Sequence, residues 1–233
     1  MTSGFSKSCR GVKHFAVATL LLMACAVQTP VRALERSDML LDIVLNCVTP
    51  GSGNYCSLCR LPRNDAGCGA ALECNRNTEV WALTGQYTAI RDIKMCGCPT
   101  EFVHGLALPT YPVTGVEDPR RPEGIWQFAW DAAIGRMEAE SIALVVNPGR
   151  QRSQNQLHVH IVRLAKGARE NLEKESPRYV GNLDQIWATA SASAASKGLE
   201  DYGVLVSQRP QRDFLVVVTA NSPEKLFTKF LCD

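Results

Sequence analysis

Two apolar runs, Ser141 to Asn147 and Gln156 to Leu164, are separated only by the polar stretch Pro148 to Asn155. Runs of this length read as strands. So short a connection permits only an antiparallel pair, because a parallel return needs a crossover of about a dozen residues or more. The second run alternates. Gln156, His158, His160 and Val162 fall on one face, and Leu157, Val159 and Ile161 on the other. The first face is polar and the second is a core face.

Other elements can be placed around this pair. Leu34 to Asn46 carries Met39, Leu40, Ile43 and Val44 at helical spacing and predicts a helix that runs into Cys47. Val80 to Ile90 and Phe102 to Leu108 read as strand. After the turn region Pro109 to Pro122, a helix begins with Pro122 in its first turn. Its apolar face is Trp126, Ala129, Trp130, Ala133, Ile134 and Met137, which reads as core packing. A charged helix from Ala165 to Glu175 follows, then strands at Ile186 to Ala190, Tyr202 to Ser207 and Phe214 to Thr219. A final helix is entered through Ser222-Pro223-Glu224. No internal repeat is present. Strands adjacent in sequence with helices between some of them predict an α+β domain on an antiparallel sheet, and 233 residues suffice to bury a core.

The N-terminus has the make-up of a targeting segment. Lys7, Arg10 and Lys13 precede the uncharged run Phe15 to Val27, and the small-residue site Val31-Arg32-Ala33 follows. An apolar run of about 13 residues is short for a bilayer span, which needs roughly 20. Export is the reading, with three fates open: cleavage after Ala33, lipid attachment at Cys25, or retention as an anchor. Of ten cysteines, Cys9 and Cys25 lie in this segment, leaving eight beyond Ala33. An even number in an oxidising compartment reads as disulfides. Cys56-x-x-Cys59 with Cys96-x-Cys98 keeps a zinc site open as an alternative. Domains are therefore expected at 1–33 (leader), 34–100 (helix and disulfide-rich segment) and 101–233 (catalytic). A formal charge of +2 without a basic stripe excludes nucleic acid as a partner.

Of four histidines, His158 and His160 sit together on the polar strand face. Two same-face imidazoles suit nucleophilic phosphoryl chemistry or metal chelation, and a merely polar strand face is the bland alternative. The preceding loop favours the first, because Asn147, Arg150, Arg152, Ser153, Gln154 and Asn155 supply the amide, hydroxyl and guanidinium donors that hold phosphate oxygens. No carboxylate or thiol lies between Asn147 and Leu164 to complete a metal site. His104, in an apolar strand, reads as structural, and Arg120-Arg121 as a solvated loop.

Asn147 together with Ser153-Gln154-Asn155-Gln156-Leu157-His158-Val159-His160-Ile161 resembles the histidine-triad (HIT-like) nucleotide hydrolases and transferases, and within them the CDP-diacylglycerol pyrophosphatases. Leu108-Pro109-Thr110-Tyr111 and Trp126-Gln127-Phe128-Ala129-Trp130 are similar to further segments of that subfamily. One position departs, with Gln156 standing where the first triad histidine would be. The resemblance implies a HIT-like sheet with packed helices and hydrolysis of CDP-diacylglycerol to CMP and phosphatidate in phospholipid metabolism, through nucleotidylated His158. It also implies that a backbone carbonyl holds the far nitrogen of His158 and that His160 and Gln156 contact nonbridging phosphate oxygens. Ser153 would meet the bridging oxygen, with Asn147, Asn155 and Arg152 at the nucleotide phosphate. No metal or cofactor is required. A membrane surface is the implied partner, a homodimer the implied assembly, and the periplasm or the periplasmic face of the inner membrane the implied place. Two rivals remain, a histidine-triad hydrolase of another nucleotide conjugate and an exported metal-binding protein that uses His158 and His160.

Overall fold

The computed structural model describes residues 37–48, 79–95, 98–99 and 101–232. The leader and its three fates, and Cys56, Cys59, Cys68, Cys74 and Cys96, lie outside them. The described residues all belong to one compact unit. Among the described residues, no helix is long and apolar enough to cross a membrane.

The architecture is α+β. Eight strands form one sheet in the order β1-β2-β3-β5-β4-β7-β8-β6: β1 (Val80–Leu83), β2 (Tyr87–Arg91), β3 (His104–Pro109), β4 (Ile142–Val146), β5 (Val159–Arg163), β6 (Arg178–Val180), β7 (Gly203–Gln208) and β8 (Phe214–Thr219). Every pairing is antiparallel. The expected pair is β4 with β5, in which Val145 stands opposite His160. The stretch from Val80 to Ile90 is a hairpin rather than one strand, folded at Gly85, and it joins the same sheet as β3.

Alternation along β5 sends Val159 and Ile161 into the main core, where Leu144, Val146, Val204 and Val216 meet α2 (Ile125–Ile134) and α4 (Ile186–Ser196). Trp126 packs edge-on against Trp187 at 4.8 Å, and Trp130 against Phe214 at 5.2 Å, so both tryptophans of α2 are core. Ile134, placed on the apolar face by spacing, is instead exposed at the helix end. The opposite sheet face carries two smaller clusters. One joins Leu40, Ile43 and Val44 of α1 (Met39–Asn46) to Ile90, Leu106 and Leu108. The other joins Val145, Val162, Leu205 and Leu215 to Leu172 of α3 (Ala168–Lys174) and Phe227 of α5 (Pro223–Phe227). His160 and Val162 point to this face, which is buried as well and not simply polar.

Ile186 to Ala190, expected as a strand, is the start of α4. Its buried positions Ile186, Trp187, Ala190, Ser193 and Ala194 recur at helical spacing, and alanine favours helix over strand. The short edge strand β6 escaped the reading because only Val180 of its three residues is buried. Cys98 is disulfide-bonded to Cys232 and cannot be a thiolate of the zinc alternative, which loses one of its four ligands. Cys47 is also disulfide-bonded.

Candidate active site

The site forms on the second sheet face, between the α1 cluster and the α5 cluster. Leu157 is drawn into the main core, which places His158 just ahead of the β5 ladder. The loop before it is fastened to the start of α1: Ser37 N donates to the Ser153 carbonyl (2.8 Å), Asn155 N to the Ser37 carbonyl (3.0 Å), and Leu40 N to Gln154 Oε1 (3.2 Å). Asn155 Nδ2 donates to Asp38 Oδ1 at 2.6 Å. Asn155 therefore secures α1 over the site, and its amide faces Asp38, not the histidines.

His158 Nδ1 lies 2.7 Å from the Gln156 carbonyl oxygen. A carbonyl only accepts, so the proton sits on Nδ1 and Nε2 keeps its lone pair. Burial holds the His158 pKa below its usual 6.5, which keeps the ring neutral. The Gln156 side chain is committed elsewhere. Its Nε2 donates to the carbonyls of Pro109 (3.1 Å) and Tyr111 (2.9 Å), and its Oε1 accepts from Val113 N (3.3 Å). It clamps the segment after β3 and has no group left for a phosphate oxygen.

His160 packs edge-on against His158, with ring centroids 4.8 Å apart. Its Nδ1 is 3.1 Å from Nε2 of His104, and its Nε2 is 3.3 Å from Nδ2 of Asn147. Asn147 Nδ2 also donates to Glu224 Oε2 (2.7 Å), while its Oδ1 accepts from Ser222 Oγ (2.7 Å). Glu224 Oε1 in turn receives Lys94 Nζ at 2.8 Å. Both nitrogens of His160 and both ends of the Asn147 amide are thus engaged by protein. Burial pushes the His104 pKa down to about 2 and that of His160 well below 6.5. Burial alone would raise Glu224, but the Lys94 ammonium and the hydrogen bonds outweigh it and keep the carboxyl below its usual range. Burial raises Asp92.

Beside the histidines is a cavity of about 460 Å3. Leu40 and Ile43 from α1, with Ile90 and Leu106 from the sheet, make one wall, and Ser153, Lys94, His158 and His160 the polar end. Arg152 lies on the other side of His158, in a crevice shared with Thr114 and Asn147. Its two terminal nitrogens bind the Glu117 carboxylate, while its buried Nε has no partner. Buried donors are rarely left so. Gly115 allows this packing, since a Cβ there would collide with the Arg152 guanidinium. Arg150 reaches the Ala220 carbonyl instead of the site.

A carboxylate does join the histidines in space. Asp92, His104 and His160 present ligand atoms within 4.8 Å of one another, because the sheet brings in a carboxylate from a distant segment. A metal held here would use His104 rather than the expected pair of His158 and His160. His104, Asp92, Lys94, Ser222 and Glu224 were the residues that spacing missed. Only His104 carried a signal, as a polar residue on the same strand face as Leu106 and Leu108.

The model of the CDP-diacylglycerol pyrophosphatase family matches residues 98–192, which include His104, Asn147, Arg152, Ser153, Gln156, His158 and His160. Through this stretch the chain is similar to that family. The match supports a hydrolase acting on CDP-diacylglycerol. Lys94, Ser222 and Glu224 lie outside the matched residues. No match was found among curated proteins.

Proposed function

We propose that His158 hydrolyses CDP-diacylglycerol in two displacements, through a nucleotidylated histidine, on a HIT-like sheet. The observation that carries this is the Nδ1 contact to the Gln156 carbonyl, which leaves a neutral Nε2 with a free lone pair at the polar end of the cavity. Nε2 attacks the phosphorus bearing cytidine, the bond to the bridging oxygen breaks, and phosphatidate leaves with that oxygen. The phosphoramidate so formed is a cation stabilised at Nδ1 by the Gln156 carbonyl. Water then attacks the same phosphorus, releasing CMP and restoring neutral His158, with the proton passing to solvent. One hard displacement becomes two easier ones.

The surrounding groups support the charge that moves. Ser153, at the polar end of the cavity, would donate to the bridging oxygen, Lys94 adds positive charge there, and Arg152 in the neighbouring crevice adds a second positive charge. Gln156 and His160 take a different part from the one the resemblance implied. They hold the geometry, since their polar atoms are already bonded within the protein. Asn147 and Asn155 likewise act through His160 and α1.

The leader reading together with the Cys98–Cys232 disulfide supports a place outside the cytoplasm, where disulfides persist. A lipid substrate supports work at a membrane surface on the same side. Single turnover in 18O-labelled water tests the direction of attack. The label is expected in CMP, and label in phosphatidate would place the attack on the other phosphorus and overturn the scheme.

A further inference from the structure

We infer that Glu224, carried by the C-terminal helix, is a positioning residue that sets the tautomer of His160 and stabilises His158 as it becomes cationic. The inference rests on the proposed reaction at His158. The Lys94 ammonium can only donate, so the oxygen it meets, Glu224 Oε1, must accept. The other carboxylate oxygen, Oε2, also only accepts, so the Asn147 group facing it at 2.7 Å has to be the NH2. That fixes the Asn147 amide, whose Oδ1 then takes the Ser222 hydroxyl. The second proton on Nδ2 points to His160 Nε2, which becomes the acceptor and leaves the proton on Nδ1, toward His104. One carboxylate thus determines where protons sit along Asn147, His160 and His104, and His160 packs against the nucleophile.

Glu224 also acts through its charge. The charged groups around His158 are Glu224, Arg152 and Lys94, with neutral His160 against its ring. Of these only Glu224 favours the cationic ring. Glu224 itself is faced by Lys94, His104, Asn147 and His160, with Asp92 across His104. Glu224 is 4 % exposed, so its field is little screened. The Cys98–Cys232 disulfide ties together the two segments that carry Lys94 and Glu224, and so keeps the pair registered against β4 and β5.

Glu224→Gln keeps size and removes the charge. With a carboxamide, Lys94 draws the remaining oxygen, the NH2 turns to Asn147, and the Asn147 amide must reverse, which shifts the proton on His160 to Nε2. In full-length protein with detergent-dispersed CDP-diacylglycerol, the expected result is a kcat about 10- to 100-fold lower with KM within about threefold. The acidic limb of the kcat/KM profile should also move to lower pH, because the anion that favours protonated His158 is gone. Glu224→Asp, which retains the charge, should recover part of kcat and restore the limb; this variant decides the matter if the glutamine form folds poorly. Unchanged kcat with an unmoved limb would overturn the inference while leaving the reaction at His158 intact. A parent protein that releases no CMP would instead remove the functional reading, and this inference with it.

Discussion

His158→Ala is expected to lower CMP release from CDP-diacylglycerol by at least about 10^4-fold, because the variant has no group to form the covalent intermediate. The fold should survive. His158 contributes one internal hydrogen bond, to the Gln156 carbonyl, and its loss costs about 1–2 kcal/mol, or about 2–8 °C in Tm for a unit of this size. Parallel assays of CMP release and circular dichroism separate the two effects. Retention of more than about a tenth of the parent rate in a folded variant would exclude His158 as nucleophile.

A steep acid sensitivity is the second large effect. His104, His158 and His160 are held neutral chiefly by burial, with folded pKa values below 6.5. In the unfolded chain each takes up its proton near 6.5. Below that pH the unfolded state binds more protons, so stability is full above pH 6.5 and falls as pH drops toward the folded values. Each histidine that stays neutral contributes a slope of about 1.4 kcal/mol per pH unit, and three give up to about 4. Glu224, shifted down, adds to the loss at lower pH, whereas Asp92, shifted up, opposes it there. For an ordinary stability of about 5–10 kcal/mol, acid unfolding is expected near pH 4 to 5. Urea titrations at pH 7.5, 6.5 and 5.5 would show a falling midpoint, and equal midpoints across that range would contradict neutral burial of the three rings.

Elements whose pattern is local and periodic were legible in the sequence. The pairing of β4 with β5 followed from two apolar runs and a short loop, and the core faces of β5 and α2 followed from periods of 2 and 3.6. Ile186 to Ala190 was misread because its burial pattern shows only over the whole helix to Ser196. The proposed nucleophile stood out for a similar reason, since His158, its neighbour and the loop donors lie within a few positions of one another. Glu224 and Lys94 were not. Their meeting at 2.8 Å depends on α5 and the segment after β2 converging on one end of the sheet, and Ser222-Pro223-Glu224 looks like any helix start. Gln156, expected on the strand, lies in the bend ahead of β5, and its work could not be read from spacing because the backbone groups that occupy its amide come from the segment after β3.

The most direct test of the account is rapid quenching of a single turnover with CDP-diacylglycerol labelled on the cytidine-bearing phosphate, followed by mapping of the protein-bound label. The account predicts a transient, acid-labile and alkali-stable adduct on the peptide that contains His158, absent from His158→Ala. Full CMP release with no labelled protein at any quench time, or label on another residue, would contradict it.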